Sequence, residues 1–450
     1  MLGTVRRAFK IEDIRKRLFY TFLMLIVIRL GAGLPTPGVN PAYIQAFFAN
    51  QTGDMFNFFD AFTGGSFTQM SVFALSITPY ITSSIIVQLL TIAIPKLEEM
   101  QKDGADGRKK LAAITRYVTV VLALIESTAM AVGFGRQGLL KEYNFVSIAI
   151  VVCTLTAGSA FLMWIGERIT ENGVGNGISI VLLVNIISSI PGDFYTLYTQ
   201  FIKGQSVAKG ILAAVIILVV VLAVVVFVVL LQDGERRIPV QYSQKVQGRK
   251  LVGGQSSHIP LKVNTAGVIP VIFTSSLMQT PIVIASFMGK GNGNGIGSQI
   301  LKGLNANNWC NPDAPIYSIG LLFYIVLTIF FAYFYTSITF NPMEIANNMK
   351  KSGGFIPGIR PGKPTVEYLS KILNYIIFVG ACGLIVVQVI PYFFNGVFGA
   401  NVSFGGTSLI IIVGVVLETM KQIESQMLVR NYTGFLNNKG SNMKNKYLSY

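Results

Sequence analysis

Residues Ile211–Leu231 read ILAAVIILVVVLAVVVFVVLL, 21 consecutive side chains without a polar atom. A helix of about 20 apolar residues crosses the hydrocarbon core of a bilayer. The rest of the chain must therefore be read with lipid as its solvent. Charged residues make up 12% of the 450 positions, about half the norm of roughly 25% for soluble domains. So few charges cannot cover a water-exposed surface, which excludes a soluble enzyme. A hydrophobic fraction of 52% excludes a disordered chain.

Nine further apolar stretches are candidates to span: Leu18–Leu34, Val72–Ile94, Leu111–Gly135, Phe145–Ile165, Gly177–Ile190, Ala266–Met288, Ile316–Phe340, Ile372–Phe394 and Thr407–Met420. The first lacks a small-residue cleavage site and runs into the turn Leu34-Pro35-Thr36-Pro37-Gly38, unlike a signal peptide. Ten spans place both termini on one side. With Ile211–Leu231 as the sixth span, 29 of the 36 Lys and Arg fall in the tails and the loops on that side, 6 fall opposite, and Arg29 lies inside the first span. The positive-inside rule makes both termini cytoplasmic.

The second span carries Pro79-Tyr80-Ile81-Thr82-Ser83-Ser84 with Gln88 nine after the proline, and the seventh carries Pro270-Val271-Ile272-Phe273-Thr274-Ser275-Ser276 with Gln279 nine after it. The fifth and tenth spans are both short and both open on glycines, Gly175-Asn176-Gly177 and Gly405-Gly406. This repeat divides the chain into five spans and five. Halves with an odd number of spans enter the membrane from opposite faces, and interrupted segments at matching places mark the functional path. The expected fold is an all-α membrane protein of ten helices in two inverted halves. The N-terminal half is 1–195, the C-terminal half is 196–430 with long loops at 232–265 and 341–370, and 431–450 is a tail.

Ion-coupled transporters place ionisable groups at mid-membrane. Here Arg29, Glu126 and Glu418 are the clear cases, and the one histidine, His258, sits in a loop. With three cysteines, no HExxH and no Walker phosphate loop, no metal site, cofactor or enzymatic activity is expected. Pro79, Ile81, Ile178, Ile272 and Ile411 instead put isoleucines beside helix irregularities, and a narrow apolar constriction can close a pore by dewetting. Isoleucines facing lipid are the simpler alternative for any one of them.

Two loops are basic and long. Ser352–Thr365 (SGGFIPGIRPGKPT) has four Gly and three Pro, which fix turns, and holds Arg360 at a tip. The 6–7 loop alternates polar and apolar residues over Ile238–Tyr242 and Leu251–Leu261, as a short β-ribbon does, and carries Arg236, Arg237, Arg249 and Lys250. Topology alone explains the charge; length and order favour docking of an acidic partner, with membrane lipid headgroups and RNA phosphates also attracted. Outside, Thr36–Gln69 has no Lys or Arg and contains an apolar piece, Met55–Gly65, too short to span. It suits a re-entrant or an interfacial helix.

The chain resembles the SecY family, channel subunits of the bacterial secretion translocase. The resemblance rests on Ile77-Thr78-Pro79-Tyr80-Ile81, Gly175-Asn176-Gly177-Ile178-Ser179, Gly234-Glu235-Arg236-Arg237-Ile238-Pro239-Val240, Pro260-Leu261-Lys262-Val263-Asn264, Ala266-Gly267-Val268-Ile269-Pro270, Pro357-Gly358-Ile359-Arg360-Pro361-Gly362 and Phe404-Gly405-Gly406-Thr407-Ser408-Leu409. It implies a channel in the bacterial cytoplasmic membrane that secretes unfolded polypeptides and inserts membrane proteins sideways. The implied pore ring is Ile77, Ile81, Ile178, Leu182, Ile272 and Ile411, with Leu182 where relatives often have Ile. The implied plug is Met55–Gln69, including Phe56, Phe59, Asp60, Phe62, Gly64 and Gly65. A lateral gate between the second and seventh spans maps to Gln88, Glu126 and Asn264, with the hydroxyls Thr82, Ser276 and Thr280. Docking falls on Arg360, joined by Arg236, Arg237, Arg249 and Lys250; Met343 stands where relatives often carry Arg. Implied partners are SecE, SecG, the SecA ATPase, the translating ribosome, signal sequences and preproteins, and membrane lipids. A five-plus-five secondary transporter for a small solute is the competing class.

Overall fold

The computed structural model describes residues 8–40, 63–202, 207–242, 245–247, 250–252, 256–287, 296–305, 308–310, 315–398 and 406–444. Its helices in chain order are α1 (Glu12–Ala32), α2 (Thr78–Ala93), α3 (Pro95–Lys102), α4 (Gly104–Phe134), α5 (Phe145–Asn172), α6 (Gly177–Leu197), α7 (Val207–Asp233), α8 (Ile269–Phe287), α9 (Ile296–Leu304), α10 (Ile319–Thr339), α11 (Pro342–Lys351), α12 (Lys363–Phe398) and α13 (Gly406–Lys444). The chain forms two compact units. The first runs through Pro191 and resumes at Gly414; the second takes in Gly192–Val413.

Seven of these helices, α4–α7, α10, α12 and α13, are long and apolar enough to cross a membrane. Two of the other three expected spans fall short for local reasons. In α1, any stretch of 18 residues includes Arg15, Lys16, Arg17 and Arg29. The α2–α3 pair counts as an eighth span only if its 104° bend is ignored. That bend follows from sequence: Ile94 is extended (φ −113°, ψ 109°) because Pro95 follows it, and a residue before proline is pushed out of the α region. In α8 the described side chains run without a break only over the apolar stretch Ile269–Met278, since those of Gln279 and Thr280 lie outside the described residues.

Two boundaries differ from expectation. The second span was expected from Val72, but α2 begins at Thr78, with Pro79 in its first turn. Residues 63–77 are folded by turns instead. The Gly/Pro-rich Ser352–Thr365 is non-helical only as far as Gly362. Lys363 opens α12, and Pro364 occupies its second position, where a fixed φ suits a helix start.

In the first unit α2 packs on α4, and α4 on α5. The Ser83 and Thr119 hydroxyls join α2 to α4 at 2.5 Å, and Ser127 and Thr156 join α4 to α5 at 3.0 Å. In the second unit α8 packs on α10, and α10 on α12. There the Thr328 hydroxyl of α10 reaches Thr274 of α8 at 3.4 Å. Ser83 and Thr274 each stand four residues after the helix-opening proline, and Thr119 and Thr328 each bond back to the carbonyl four residues earlier. The repeated sequence therefore makes the same contact in each unit.

A second repeated contact lies at the fifth and tenth spans, which were expected to be short but form helices of 21 and 39 residues, α6 and α13. A β-carbon placed on Gly177 would overlap the Gly166 carbonyl of α5, and one on Gly406 would overlap the Val387 carbonyl of α12. In lipid, helices associate through close approach of small residues rather than hydrophobicity. Here the fifth and tenth spans each start where a glycine lets backbone touch backbone.

The two long loops of the second unit build a small β-structure. β1 (Glu235–Tyr242) pairs antiparallel with β4 (Ser256–Lys262), Ile238 opposite Ile259, and β5 (Gly354–Phe355) joins the other edge of β1. β2 (Lys245–Gln247) and β3 (Lys250–Val252) form a separate hairpin. The expected ribbon is present; the third strand comes from the 8–9 loop. Ile238, Val240, Leu261, Met349, Ile356 and Leu369 form a core beneath the sheet.

Gly177→Ala and Gly406→Ala should each lower stability by about 1–3 kcal/mol, the usual cost of overpacking, because the clashing atom is backbone. Gly192→Ala, with open space around it, should not. Thermal unfolding in detergent checks this: equal midpoints for all three variants would contradict the contact.

Candidate functional site

At membrane depth, non-helical backbone is tolerated only where protein covers it. The segment 63–77 is non-helical backbone lodged against α6, a candidate span, and most of it is buried. An unpaired polar group there costs about 1–3 kcal/mol, so the destinations of its hydrogen bonds matter. Within the segment, amides of Gln69, Met70, Ser71, Ala74 and Ser76 reach carbonyls of Gly65, Phe67, Ser66, Ser71 and Phe73 at 2.8–3.3 Å. The Phe67 amide bonds the Thr63 hydroxyl at 3.2 Å. The end of the first span contributes two more bonds: Thr36 N–H to the Met70 carbonyl and Val72 N–H to the Leu34 carbonyl, both 2.9 Å. Each end is also tied to α6. Asn185 Nδ2 donates to Ser76 Oγ at 3.0 Å, and Ser188 Oγ lies 3.3 Å from the Gly64 carbonyl. Residues 185 and 188 share a helix face.

Gly64 takes φ +66°, and a β-carbon on it would sit 2.8 Å from the Asn185 carbonyl and 2.6 Å from Ser188 Oγ. Only glycine fits both conditions. Of the expected plug, Gly64 and Gly65 lie in this segment; Met55, Phe56, Phe59, Asp60 and Phe62 lie outside the described residues.

The six positions expected to form a pore ring all lie within two turns of a helix start. Ile77 caps α2 and is fully buried, and Ile81 follows one turn later, half-buried. Ile178 and Leu182 lie one turn apart near the start of α6, with Ile178 close to Gly166. In the second unit Ile272 is half-buried on α8 and Ile411 is 2% exposed on α13. Two pairs obey the repeat. Ile81 and Ile272 each stand two after the proline; Leu182 and Ile411 each stand five after the helix-opening glycine.

The expected gate residues are less uniform. Thr82 turns its hydroxyl back to the Thr78 carbonyl at 3.1 Å. Gln88 on α2 and Glu126 on α4 are half-buried, and Ser276 on α8 is exposed. Asn264 in the second unit is 6% exposed and its Nδ2 lacks a partner among the described residues. The side chain of Thr280 lies outside the described residues.

Among the docking candidates, Arg360 is exposed on a rigid tip. Gly358 takes φ +83°, Ile359 packs on the loop core, and the Arg360 carbonyl accepts from Thr365 Oγ1 at 2.9 Å. Arg236 is exposed on β1. Arg237 pairs with Glu235 at 2.6 Å. Arg249 and the Lys250 side chain lie outside the described residues.

Sequence reading missed two polar arrangements. Arg29 points both terminal nitrogens at the Gly64 carbonyl, each at 3.4 Å. A cation inside a span was visible; its partner, a backbone atom 35 residues on, was not. In the second unit the Tyr324 hydroxyl donates to Gln388 Oε1, and the Tyr324 ring packs with Trp309 and Tyr392. No sequence spacing signals that cluster.

The family model described as SecY matches residues 71–420. A protein translocase subunit SecY from Bacillus subtilis (strain 168) is 44% identical over 446 residues, covering 97% of this chain and all of the relative. Another from Streptomyces galbus is 43% identical over 452 residues with the same coverage. Among solved structures, a protein-conducting channel superposes with a TM-score of 0.61 at 16% identity, covering 92% of this chain and 93% of that one. Sec61 in the canine ribosome–channel complex from the endoplasmic reticulum gives 0.60 at 16%, with the same coverage. These two show a shared fold. With a family match over most of its length and relatives above 40% identity end to end, the chain belongs to the SecY family.

Proposed function

We propose that the chain is the protein-conducting channel of a bacterial cytoplasmic membrane, secreting unfolded polypeptides and releasing membrane helices sideways into lipid. The observation that carries the reading is membership of the SecY family across nearly the full chain. The residues give it a mechanism. A substrate as varied as unfolded protein offers no constant polar group, so a pore that admits all of it must contact it without specific bonds. The side chains Ile77, Ile81, Ile178, Leu182, Ile272 and Ile411 meet that need. Apolar and compliant, they close a resting pore by excluding water and part around a chain. The plug, 55–69, backs the seal from outside. Its root is the hydrogen-bonded segment 63–77.

The halves are 1–195 and 196–430, and their repeated α2 and α8 form the lateral gate. Hydroxyl bonds between membrane helices contribute only about 0.6 kcal/mol on average. Thr82, Ser276 and Thr280, with Gln88, Glu126 and Asn264, hold such a gate shut and still let it open. SecE and SecG complete the complex.

The sequence has no phosphate-binding loop, so the driving force comes from partners: SecA or the translating ribosome. The sheet β4-β1-β5 fuses the two basic loops into one platform on the cytoplasmic face. Arg360 is its principal contact, because an exposed guanidinium on a fixed tip is preorganised for carboxylate or phosphate. Arg236 adds to it. Arg237 is engaged with Glu235, but exposed ion pairs contribute only about 0–1 kcal/mol, so it remains available to a partner. Arg249 and Lys250 extend the charge.

Reconstituted with SecE and SecA, the chain should import a secretory precursor into vesicles only when ATP is supplied. Saturable, ion-coupled uptake of a small solute without precursor import would contradict the channel and favour a secondary transporter.

Arg360→Glu should insert normally and weaken SecA binding about tenfold or more, since truncating one partner of a buried charge pair costs about 2–5 kcal/mol. Arg360→Lys should be intermediate, keeping the charge and losing the fork. Unchanged SecA affinity in the glutamate variant would remove this residue from the docking surface.

A further inference from the structure

Arg29 lies in the last turn of α1, inside the first span, and a cation there needs a reason. Snorkelling to the outer interface is the ordinary one. The structure offers another. Both guanidinium nitrogens reach one acceptor, the Gly64 carbonyl, at the point where segment 63–77 begins. The rival donor is weak: Ser188 Oγ has one hydrogen and lies 2.7 Å from the Asn185 carbonyl of its own helix but 3.3 Å from Gly64. Arg29 is thus the principal donor to Gly64. The same end of α1 grips the segment again, because Gly31 lies directly against the Phe73 ring.

We propose that Arg29 is the positioning residue for segment 63–77, a latch that holds Gly64 by a charge-assisted, two-pronged bond and so keeps the segment seated between α1 and α6. The proposal rests on the reading of 55–69 as the plug, since Gly64 lies within it. Among the described residues four anchors then hold the segment: Arg29 at Gly64, Ser188 more weakly at the same carbonyl, Asn185 at Ser76, and the paired backbone bonds of Leu34 and Thr36 in its middle. Only the first involves a formal charge. A latch through a backbone carbonyl is indifferent to the side chains around it. It releases without leaving a buried unpaired charge, because Arg29 is otherwise exposed and turns to water or headgroups.

The test uses a buried thiol. In the full complex, Cys153, Cys310 and Cys382 are replaced by serine, and cysteine is placed at Ser66. Ser66 is 1% exposed and its hydroxyl has no partner among the described residues, so the change breaks no bond seen there. A matched control carries cysteine at Ser159 of α5, also 1% exposed and without a partner among the described residues. The rate of maleimide labelling reads the open population of each site. Arg29→Ala should speed labelling at position 66 about tenfold, equivalent to about 1.4 kcal/mol, and leave position 159 unchanged. Arg29→Lys, one donor instead of a fork, should fall between, and it carries the test if the alanine variant does not assemble. An unchanged rate at 66 overturns the latch, as does equal acceleration at both sites, which marks general loosening. The same vesicles report on the plug separately. Faster labelling at 66 with no added ion leak upholds the latch and contradicts the plug.

Discussion

A bilayer offers backbone N–H and C=O groups no water, so each must find its partner within the protein. That constraint explains why the chain is helical wherever it is long and apolar. It also makes the exceptions informative. Segment 63–77 leaves the helix against α1 and α6, and the hydrogen bonds that hold it have identifiable partners: its own turns, Leu34 and Thr36, Asn185 of α6, and at Gly64 Arg29. A segment pinned by a few identifiable bonds, rather than by a helical ladder, can be released by breaking those few. Such elements are drawn from the low-stability end of a fold.

The same constraint shapes the contacts between helices. Lipid competes equally for apolar surface, so small residues and hydroxyls decide where helices meet. Both units solve this alike. A hydroxyl four after a proline meets a threonine on the next span, at Ser83–Thr119 and at Thr274–Thr328. A glycine seats the fifth or tenth span against a carbonyl, at Gly177–Gly166 and at Gly406–Val387. The repeat is thus a repeat of contacts as well as of letters. Ile81 with Ile272, and Leu182 with Ile411, inherit matching places from those contacts.

The spanning helices were legible because apolar length is a local signal. Ile211–Leu231 leaves no choice, and charge asymmetry orders the rest. Local chemistry also fixed the break at Ile94-Pro95. What escaped was non-local. Nothing between Val72 and Ile77 forbids a helix; the turns there depend on partners from α1 and α6. The two-residue strand Gly354–Phe355 exists only because Gln241 and Tyr242 of the other loop pair with it. Arg29 stood out as an intramembrane cation, but a backbone carbonyl leaves no mark in a sequence. Of the candidate site, the aliphatic residues near helix starts and the exposed tip at Arg360 were readable as residue types, and the bonds that hold them were not.

A channel for unfolded chains has to yield to any side chain and yet hold back ions when idle. We propose that both properties reside in one device, a dry ring of aliphatic side chains, rather than in a selective polar site. Planar-bilayer conductance of the resting complex tests that assignment most directly. With Ile81 and Ile272 both replaced by glycine, the constriction widens and wets, and the resting channel should conduct ions continuously while the parent stays silent. A double variant as silent as the parent would contradict the claim that these side chains form the seal.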